Sequence, residues 1–175
     1  MSADDDHDLL TGLYTPARAR EVLGEWLGVG DTRVHGLLLV LGRFDSVNIA
    51  HGTSAGDFAL TEVARRIAHF GQDEFADDAW FAARLDGGKF LLATREPCSR
   101  ERWQFLAEAL ADTVAQPLAG ASVGLPQLWP HIALVRALSG DDPTSMLSRL
   151  SDAQIALKGE AVSTPDGGVR LRPRP

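Results

Sequence analysis

The chain has 175 residues, of which 45% are hydrophobic and 23% are charged, and its formal net charge at pH 7 is −7. This length and composition predict one globular domain with a substantial buried core. The negative balance excludes a general binder of nucleic acid or anionic membranes, because neutralising phosphates requires clustered Lys and Arg. The lone Cys98 excludes an internal disulfide framework and a cysteine zinc cluster. No apolar run approaches the about 20 residues that span a bilayer, and the acidic start differs from a secretory signal, so we expect a cytoplasmic protein.

The first predicted elements are a helix and a buried strand. Residues 1–8 are acidic and are expected to form a disordered lead. Thr15 is a good helix N-cap and the proline after it suits the first helical position, so a helix is predicted over residues 17–27. Residues 37–41, which read LLLVL, predict a strand that is buried on both faces.

A β-hairpin is predicted in the middle of the chain, after an amphipathic helix with apolar residues over positions 60–70. Two apolar runs flank the sequence DGGK at residues 86–89. Asp-Gly between strand-like runs is a strong hairpin signal, because a type I′ turn needs positive φ at both central residues. The hairpin is therefore predicted to include Arg84 through Phe90.

The C-terminal part completes a mixed α and β order. The pattern predicts a helix over residues 100–115, a strand near 120–125, a helix that begins at Pro143, and an edge strand at 169–171. Helices interspersed with a central hairpin indicate an α+β fold, in which helices cover a mostly antiparallel sheet.

Four stretches of the chain form an ordered set of motifs. They are DLLTGL at residues 8–13, RFDSVNIAHGTSAGDFAL at 43–60, ARLDGGKF at 83–90 and MLSRLSDAQIALK at 146–158. The second is the most specific, because N-x-x-x-G-x-x-x-G-D at fixed spacing rarely arises by chance. Together the four motifs resemble the GGDEF family of diguanylate cyclases.

The resemblance implies a fold and a domain layout. The core would be similar to that of nucleotide cyclases and polymerase palms, with a degenerate GGDEF domain over residues 9–160. Residues 161–175 would then form a C-terminal edge strand and a Pro/Arg tail or linker. In the family, two facing domains each hold one GTP and together make cyclic di-GMP. Carboxylates at the end of the first strand and in the GGDEF loop hold the Mg²⁺ ions.

The sequence departs from the family pattern at both metal positions. Gly42 stands where the resemblance places the strand-end carboxylate, and Gly88 stands at the loop Asp. Lys89 puts positive charge where a metal would sit. Asp45 and Asp86 are displaced from these positions, and a two-residue shift moves a group by about 6–7 Å, far beyond a ligand distance of about 2.0–2.6 Å. The resemblance therefore implies an inactive homologue with no catalytic and no metal-binding residue.

The nucleoside side of the family's site is better retained. Asn48 and Asp57 match the residues that bind the guanine base, where a carboxylate accepts from N1–H and N2–H. Lys158 matches a phosphate contact and Gly87 a glycine of the loop, so these four are the candidate nucleotide-binding residues. Val162 replaces a second phosphate-binding Arg. Two structural alternatives stay open: Asn48 as a helix cap, and Asp57 as a favourable charge in a first helical turn.

The family's feedback motif, R-x-x-D, is also missing. The corresponding positions, residues 77–80, read DDAW. Product inhibition through this site is not expected, and the acidic pair is interpreted as a solvated loop.

Three functions remain open at this point. The first is an inactive regulatory or dimerisation module of cyclic di-GMP signalling, which requires no cofactor and binds GTP without tightly bound Mg²⁺. Its partners would be another protein, a neighbouring EAL-type or sensor domain, or a second copy in a homodimer. The second is a nucleotide-free protein-interaction scaffold, and the third is an active diguanylate cyclase with displaced metal ligands.

Overall fold

The structure is a computed structural model, and it describes residues 6–30, 33–42, 52–116, 129–158 and 168–170. The side chains of residues 129, 156–158 and 168–170 are not described. Within these ranges, the model contains no helix with the length and apolar character needed to cross a membrane.

A five-stranded antiparallel sheet forms the centre of the fold. Its strands are β1 (His35–Gly42), β2 (Trp80–Asp86), β3 (Lys89–Thr94), β4 (Trp129–Arg136) and β5 (Gly168–Arg170). Their spatial order is β2-β3-β1-β4-β5, so β1 is the middle strand and is paired on both sides. The predicted α+β class and mostly antiparallel sheet are confirmed.

Within the described residues, four helices cover the sheet. They are α1 (Pro16–Gly28), α2 (Thr53–Glu74), α3 (Arg100–Val114) and α4 (Pro143–Lys158). The predicted cap of α1 is confirmed, because the Thr15 hydroxyl accepts a hydrogen bond from the Arg18 N–H. Ser99 caps α3 in the same way, through the Arg102 N–H.

Strand β1 separates two apolar clusters. Leu37, Leu39 and Leu41 belong to the cluster with α2 and α3, whereas Leu38 belongs to the cluster with α1 and α4. Side chains along a strand alternate between the faces, so a run of consecutive leucines supplies both clusters. The prediction that this strand is buried on both faces is confirmed.

One strand was missed and another was displaced by one residue. The predicted strand at 120–125 lies outside the described residues, while β4 begins at Trp129 and was not predicted. Its apolar run, IALV at residues 132–135, was the available signal. The edge strand expected at residues 169–171 is β5, which pairs with β4 from residue 168 to residue 170.

The N-terminal segment joins the fold earlier than predicted. Residues 6–8 were assigned to the acidic lead, but the Thr15 N–H donates to the Asp6 carbonyl oxygen at 3.0 Å. His7 forms a β-bridge with Tyr14. These three residues therefore belong to the folded domain, and residues 1–5 of the predicted lead lie outside the described ranges.

Candidate functional site

The hairpin that carries the third motif is present, with a turn of a different type. Asp86 pairs with Lys89, so Gly87 and Gly88 are the central residues. Gly87 has a φ of 35°, whereas Gly88 has no positive φ. A positive φ at the first central residue alone is typical of a type II′ turn. The predicted type I′ turn was wrong because it took Asp-Gly, rather than Gly-Gly, as the central pair.

The end of β1 lies against this turn. Val40 pairs with Lys89, and the Leu41 N–H donates to the Gly88 carbonyl oxygen at 3.0 Å. Gly42 follows as the last residue of β1. The fold thus brings together Gly42 and Gly88, the two positions that the resemblance assigns to metal-binding carboxylates. Mg²⁺ requires oxygen ligands in octahedral geometry, and a glycine has no side chain to supply one, so these two positions do not fit the ion.

Asp86 and Lys89 are both exposed beside these glycines. Among the residues that the structure describes, there is no group of three or more His, Cys, Asp or Glu side chains that could hold a metal ion. Asp45, the other displaced carboxylate, lies outside the described ranges.

Arg84 braces the turn from the side of β2. Its Nε donates to the Gly87 carbonyl oxygen at 3.0 Å, and its Nη1 lies 3.3 Å from Asp8 Oδ2. The strand register shifts between Arg84 and Asp86, and a bulge of this kind re-aims the side chains beside it. One guanidinium therefore connects the hairpin turn to the N-terminal motif.

The Asp8 carboxylate is fixed by contacts with Thr11 in addition to its contact with Arg84. Its carboxylate accepts hydrogen bonds from the Thr11 N–H at 2.9 Å and the Thr11 hydroxyl at 2.7 Å. Burial alone would raise the pKa of Asp8, but the Thr11 hydrogen bonds and the Arg84 charge outweigh it and lower the pKa below its ordinary value. In this motif a fixed anion, Asp8, thus faces a fixed cation, Arg84.

Neither member of this pair was given a role from the sequence, although both lie within the quoted motifs. A local signal existed for Asp8, because Asp followed by Thr in a short glycine-containing turn is typical of side-chain-to-backbone hydrogen bonding. No local signal existed for the Arg84 contact, which joins residues 76 positions apart.

Asp57 is exposed on α2, four positions after Thr53, the first residue of that helix. No acidic residue lies in the first turn of α2, so the alternative role of Asp57 as a first-turn charge was wrong. Its main-chain oxygen accepts from the Thr61 hydroxyl at 2.8 Å, but its carboxylate has no hydrogen-bond partner within the described part of the chain.

Gly52, a glycine of the second motif, is the N-cap of α2 and has a φ of 87°. Only glycine adopts this conformation without steric cost, which explains its place in the motif. It offers no side-chain cap to the helix.

The other predicted contacts cannot be placed relative to Asp57 and Gly87. Asn48 and Val162 lie outside the described residues. Lys158 is the last residue of α4, and its side chain is not described. The roles of all four candidate nucleotide-binding residues remain predictions.

The position of the missing feedback motif borders a cavity of about 360 Å³, whose lining includes Arg18, Trp26, Asp78 and Arg95. Asp77 and Asp78 are exposed, in keeping with a solvated acidic loop. Arg95 lies 3.8 Å from an Asp78 oxygen, and its guanidinium lies 5.5 Å from the centre of the Trp26 ring. An ion pair this exposed contributes little to stability.

Comparison with known sequences gives a single family. Residues 5–161 match the family described as diguanylate cyclase, GGDEF domain. The uncharacterized protein Rv1354c of Mycobacterium tuberculosis strain H37Rv is 31% identical over 155 residues, which is 87% of this chain and 24% of that protein. The chain therefore spans about a quarter of the length of the curated relatives it matches first.

Solved structures show the same fold. The GGDEF domain of DgcB from Caulobacter crescentus, in complex with c-di-GMP, superposes with a TM-score of 0.79 at 19% identity, covering 90% of this chain and 92% of that one. Diguanylate cyclase SiaD of Pseudomonas aeruginosa, in complex with its activator SiaC, superposes with a TM-score of 0.75 at 21% identity. That match covers 87% of this chain and 57% of SiaD.

Proposed function

Because the chain belongs to the GGDEF family, we propose that it is a catalytically inactive GGDEF domain that acts as a regulatory or dimerisation module in cyclic di-GMP signalling. It binds GTP without tightly held Mg²⁺ and passes that state to a neighbouring signalling domain or to a protein partner. The observation that carries the proposal is the juxtaposition of Gly42 and Gly88 at the hairpin turn.

The proposal follows from what phosphoryl transfer requires. Metal ions in such sites neutralise the triphosphate and activate the attacking hydroxyl, and carboxylates hold the metals in place. Gly42 and Gly88 offer no such anchor, while Lys89 brings an ammonium group to the same edge. A lysine binds phosphate as a point charge, so it supports nucleotide binding but does not orient a reactive hydroxyl.

Guanine recognition rests on the second motif. The Asp57 carboxylate is exposed and has no hydrogen-bond partner among the described residues, so it can accept from guanine N1–H and N2–H without first breaking an internal bond. Asn48 supplies the second base contact and Lys158 a phosphate contact. The Gly87 backbone lets the turn approach the nucleotide closely.

The first test is a calorimetric titration with GTP, in Mg²⁺ and in EDTA, alongside an assay for cyclic di-GMP. We expect saturable binding with nearly the same affinity in both buffers and no cyclic product. Asp57→Ala weakens binding, because the base loses a charge-assisted acceptor. The matched control is Asp112→Ala, which removes an exposed carboxylate from α3 and leaves the affinity unchanged.

Two results would contradict the proposal, and each favours a different alternative. If the chain shows no heat of binding at millimolar GTP, it is a nucleotide-free protein-interaction scaffold. If it makes cyclic di-GMP from GTP and Mg²⁺, it is an active cyclase with displaced metal ligands.

A second test restores the missing side chains. The double variant Gly42→Asp with Gly88→Asp places two carboxylates at the turn, and Gly88 has no positive φ that would strain a side chain. We expect measurable Mn²⁺ binding by the double variant and none by Gly42→Asp alone. If the double variant keeps its circular dichroism spectrum and binds no metal, positions 42 and 88 do not correspond to the family's metal-binding carboxylates.

A further inference from the structure

A second cavity, of about 470 Å³, lies at the other end of β1. The residues that matter for its chemistry are His35, Arg100, Trp103, Arg136, Leu138 and Arg149. His35 begins β1 and Gly42 ends it, so at about 3.3 Å per residue the cavity is about 23 Å from the hairpin turn. A ligand here would not touch the hairpin turn.

Two buried aromatic side chains of this cavity each have a ring nitrogen without a partner. His35 is 3% exposed and Trp103 is 4% exposed, and their ring centres are 5.4 Å apart. Neither His35 Nε2 nor Trp103 Nε1 makes a hydrogen bond within the described residues. Buried polar atoms in folded proteins are almost always paired, so this coincidence in one cavity points to a missing group.

The hydrogen-bonding character of the two nitrogens is opposite. His35 Nδ1 lies 2.7 Å from the Arg33 carbonyl oxygen, which can only accept, so Nδ1 carries the proton. Burial, together with the nearby Arg136 charge, lowers the pKa of His35 and keeps the ring neutral. His35 Nε2 is therefore an acceptor, while the indole N–H of Trp103 is a donor.

The polar side of the cavity is positively charged. Arg149 is already engaged, because its Nη1 donates to Asp141 Oδ2 at 2.7 Å and its Nη2 to the Arg136 carbonyl oxygen at 2.9 Å. Arg100 and Arg136 are exposed, and the described residues offer no carboxylate to either guanidinium. Arg100 is also the first residue of α3, where the helix dipole favours an anion. Leu138 adds an apolar wall that is 50% exposed.

We propose that this cavity binds a small organic anion that has a carboxylate or phosphate group and a flat apolar body carrying a hydroxyl, which can both donate and accept a hydrogen bond. The anionic group binds Arg100 and Arg136, whose planar guanidinium groups suit both head groups. The body packs on Trp103, accepts its indole N–H and donates to His35 Nε2. The cavity volume lies within the about 300–1,000 Å³ of ordinary small-molecule sites.

The Trp103 indole N–H is a direct reporter of occupancy. In a ¹H–¹⁵N spectrum of the full chain, its resonance is the one that Trp103→Phe removes. We titrate the chain with 4-hydroxybenzoate and with 4-hydroxyphenyl phosphate, and use 4-hydroxybenzyl alcohol as the uncharged analogue. The expected result is a saturable shift of this resonance with one or both anions, while the Trp26 indole stays in place. The tighter anion identifies the head group.

Variants test the role of charge. Arg100→Gln with Arg136→Gln removes two charge-assisted contacts, so the anion should bind at least about tenfold more weakly. The control is Arg102→Gln, which removes an exposed arginine from the same helix outside the cavity. The proposal is overturned if neither anion gives a saturable shift, if the uncharged alcohol binds as well as the anions, or if the double variant binds as tightly as the wild type. None of these results depends on GTP binding.

Discussion

The two ends of strand β1 differ in which polar groups are paired, those of the main chain or those of the side chains. At the Gly42 end the main chain is well connected, through the Leu41–Gly88 hydrogen bond and the bracing by Arg84, but glycines stand at the two positions that the family resemblance assigns to metal-binding carboxylates. At the His35 end the side chains are buried and contain ring nitrogens that the described fold does not pair. Backbone contacts and one arginine thus hold this turn in place without any carboxylate at Gly42 or Gly88. Polar groups without a structural role, by contrast, indicate a ligand.

The largest effect is expected from removing the indole at the His35 end. Trp103→Ala should lower the free energy of unfolding by about 3–5 kcal/mol, because the buried ring contacts His35 and Phe75. Trp103→Phe should cost only about 1 kcal/mol, since it keeps most of the apolar contact and removes an unpaired donor. Urea unfolding measures both. If both variants lost the same free energy of unfolding, the indole N–H would be paired in solution. The His35 end would then have no unpaired donor, and it would no longer differ from the Gly42 end in this way.

At the hairpin end, the largest loss should come from Arg84. Arg84→Ala removes the hydrogen bond to the Gly87 carbonyl oxygen and leaves the half-buried Asp8 carboxylate without its cation, so we expect a loss of about 2 kcal/mol. Arg65→Ala is the matched control. Among the described residues, Arg65 pairs with Glu62 alone, and its side chain is 67% exposed. Its loss should stay below about 0.5 kcal/mol. Thermal unfolding that shifts equally in both variants would show that Arg84 does not brace the turn.

The pH dependence of stability isolates the Asp8 contact. The folded state lowers the pKa of Asp8 below 3.8, so the folded state binds this proton less readily than the unfolded chain. Its stabilising contribution is therefore complete at neutral pH, begins to fall near pH 3.8 and is lost as the pH drops through the lowered value. The wild type should be more stable than Asp8→Asn near neutrality, and the difference should shrink in acid.

Thr11→Ala provides the comparison for this measurement. It removes one of the donors that lower the pKa of Asp8, so its stability should depend less on pH over the same acid range. Urea midpoints at a series of pH values measure the effect. A difference between wild type and Asp8→Asn that does not change with pH would exclude a lowered pKa.

The smallest effect is expected at Lys89. The side chain is exposed, so Lys89→Ala should change the free energy of unfolding by less than about 0.5 kcal/mol. Under the proposed function the same variant weakens GTP binding, because it removes a phosphate-binding charge. A large loss of stability would assign Lys89 to the scaffold of the turn rather than to its ligand.

Local signals account for what was predicted correctly. The Thr15 cap, the buried strand over residues 37–41 and the hairpin each depend on residues close together in the chain. Strand β4 was missed because Pro130 reads as a breaker, whereas its actual partner is Leu41, far away in sequence. The residues next to a proline in the sequence do not show that it will pair with a distant strand.

The turn type was predicted wrongly because local sequence does not determine strand register. Asp-Gly and Gly-Gly are both acceptable central pairs, and the choice follows from the register of β2 against β3, in which Asp86 faces Lys89. The bond from Arg84 to Asp8 and the cavity beside His35 likewise join segments that are distant in the chain. The motif resemblance indicates which residues are candidates for nucleotide binding. It does not indicate contacts between distant segments, such as those of Arg84 with Asp8.

The middle position of β1 also determines the order in which the chain can fold during synthesis. Lys89, where its first partner strand begins, follows Gly42 by 47 positions, and Trp129 of its second partner follows by 87. At about 5–20 residues per second, the ribosome exposes this leucine-rich strand roughly 2–9 seconds before β3 is made, and about twice as long before β4. During that interval the strand has no hydrogen-bonded neighbour, and its exposed apolar side chains promote aggregation. Efficient production of this domain therefore depends on shielding one short segment, by α2 or by a chaperone, until the rest of the sheet has been translated.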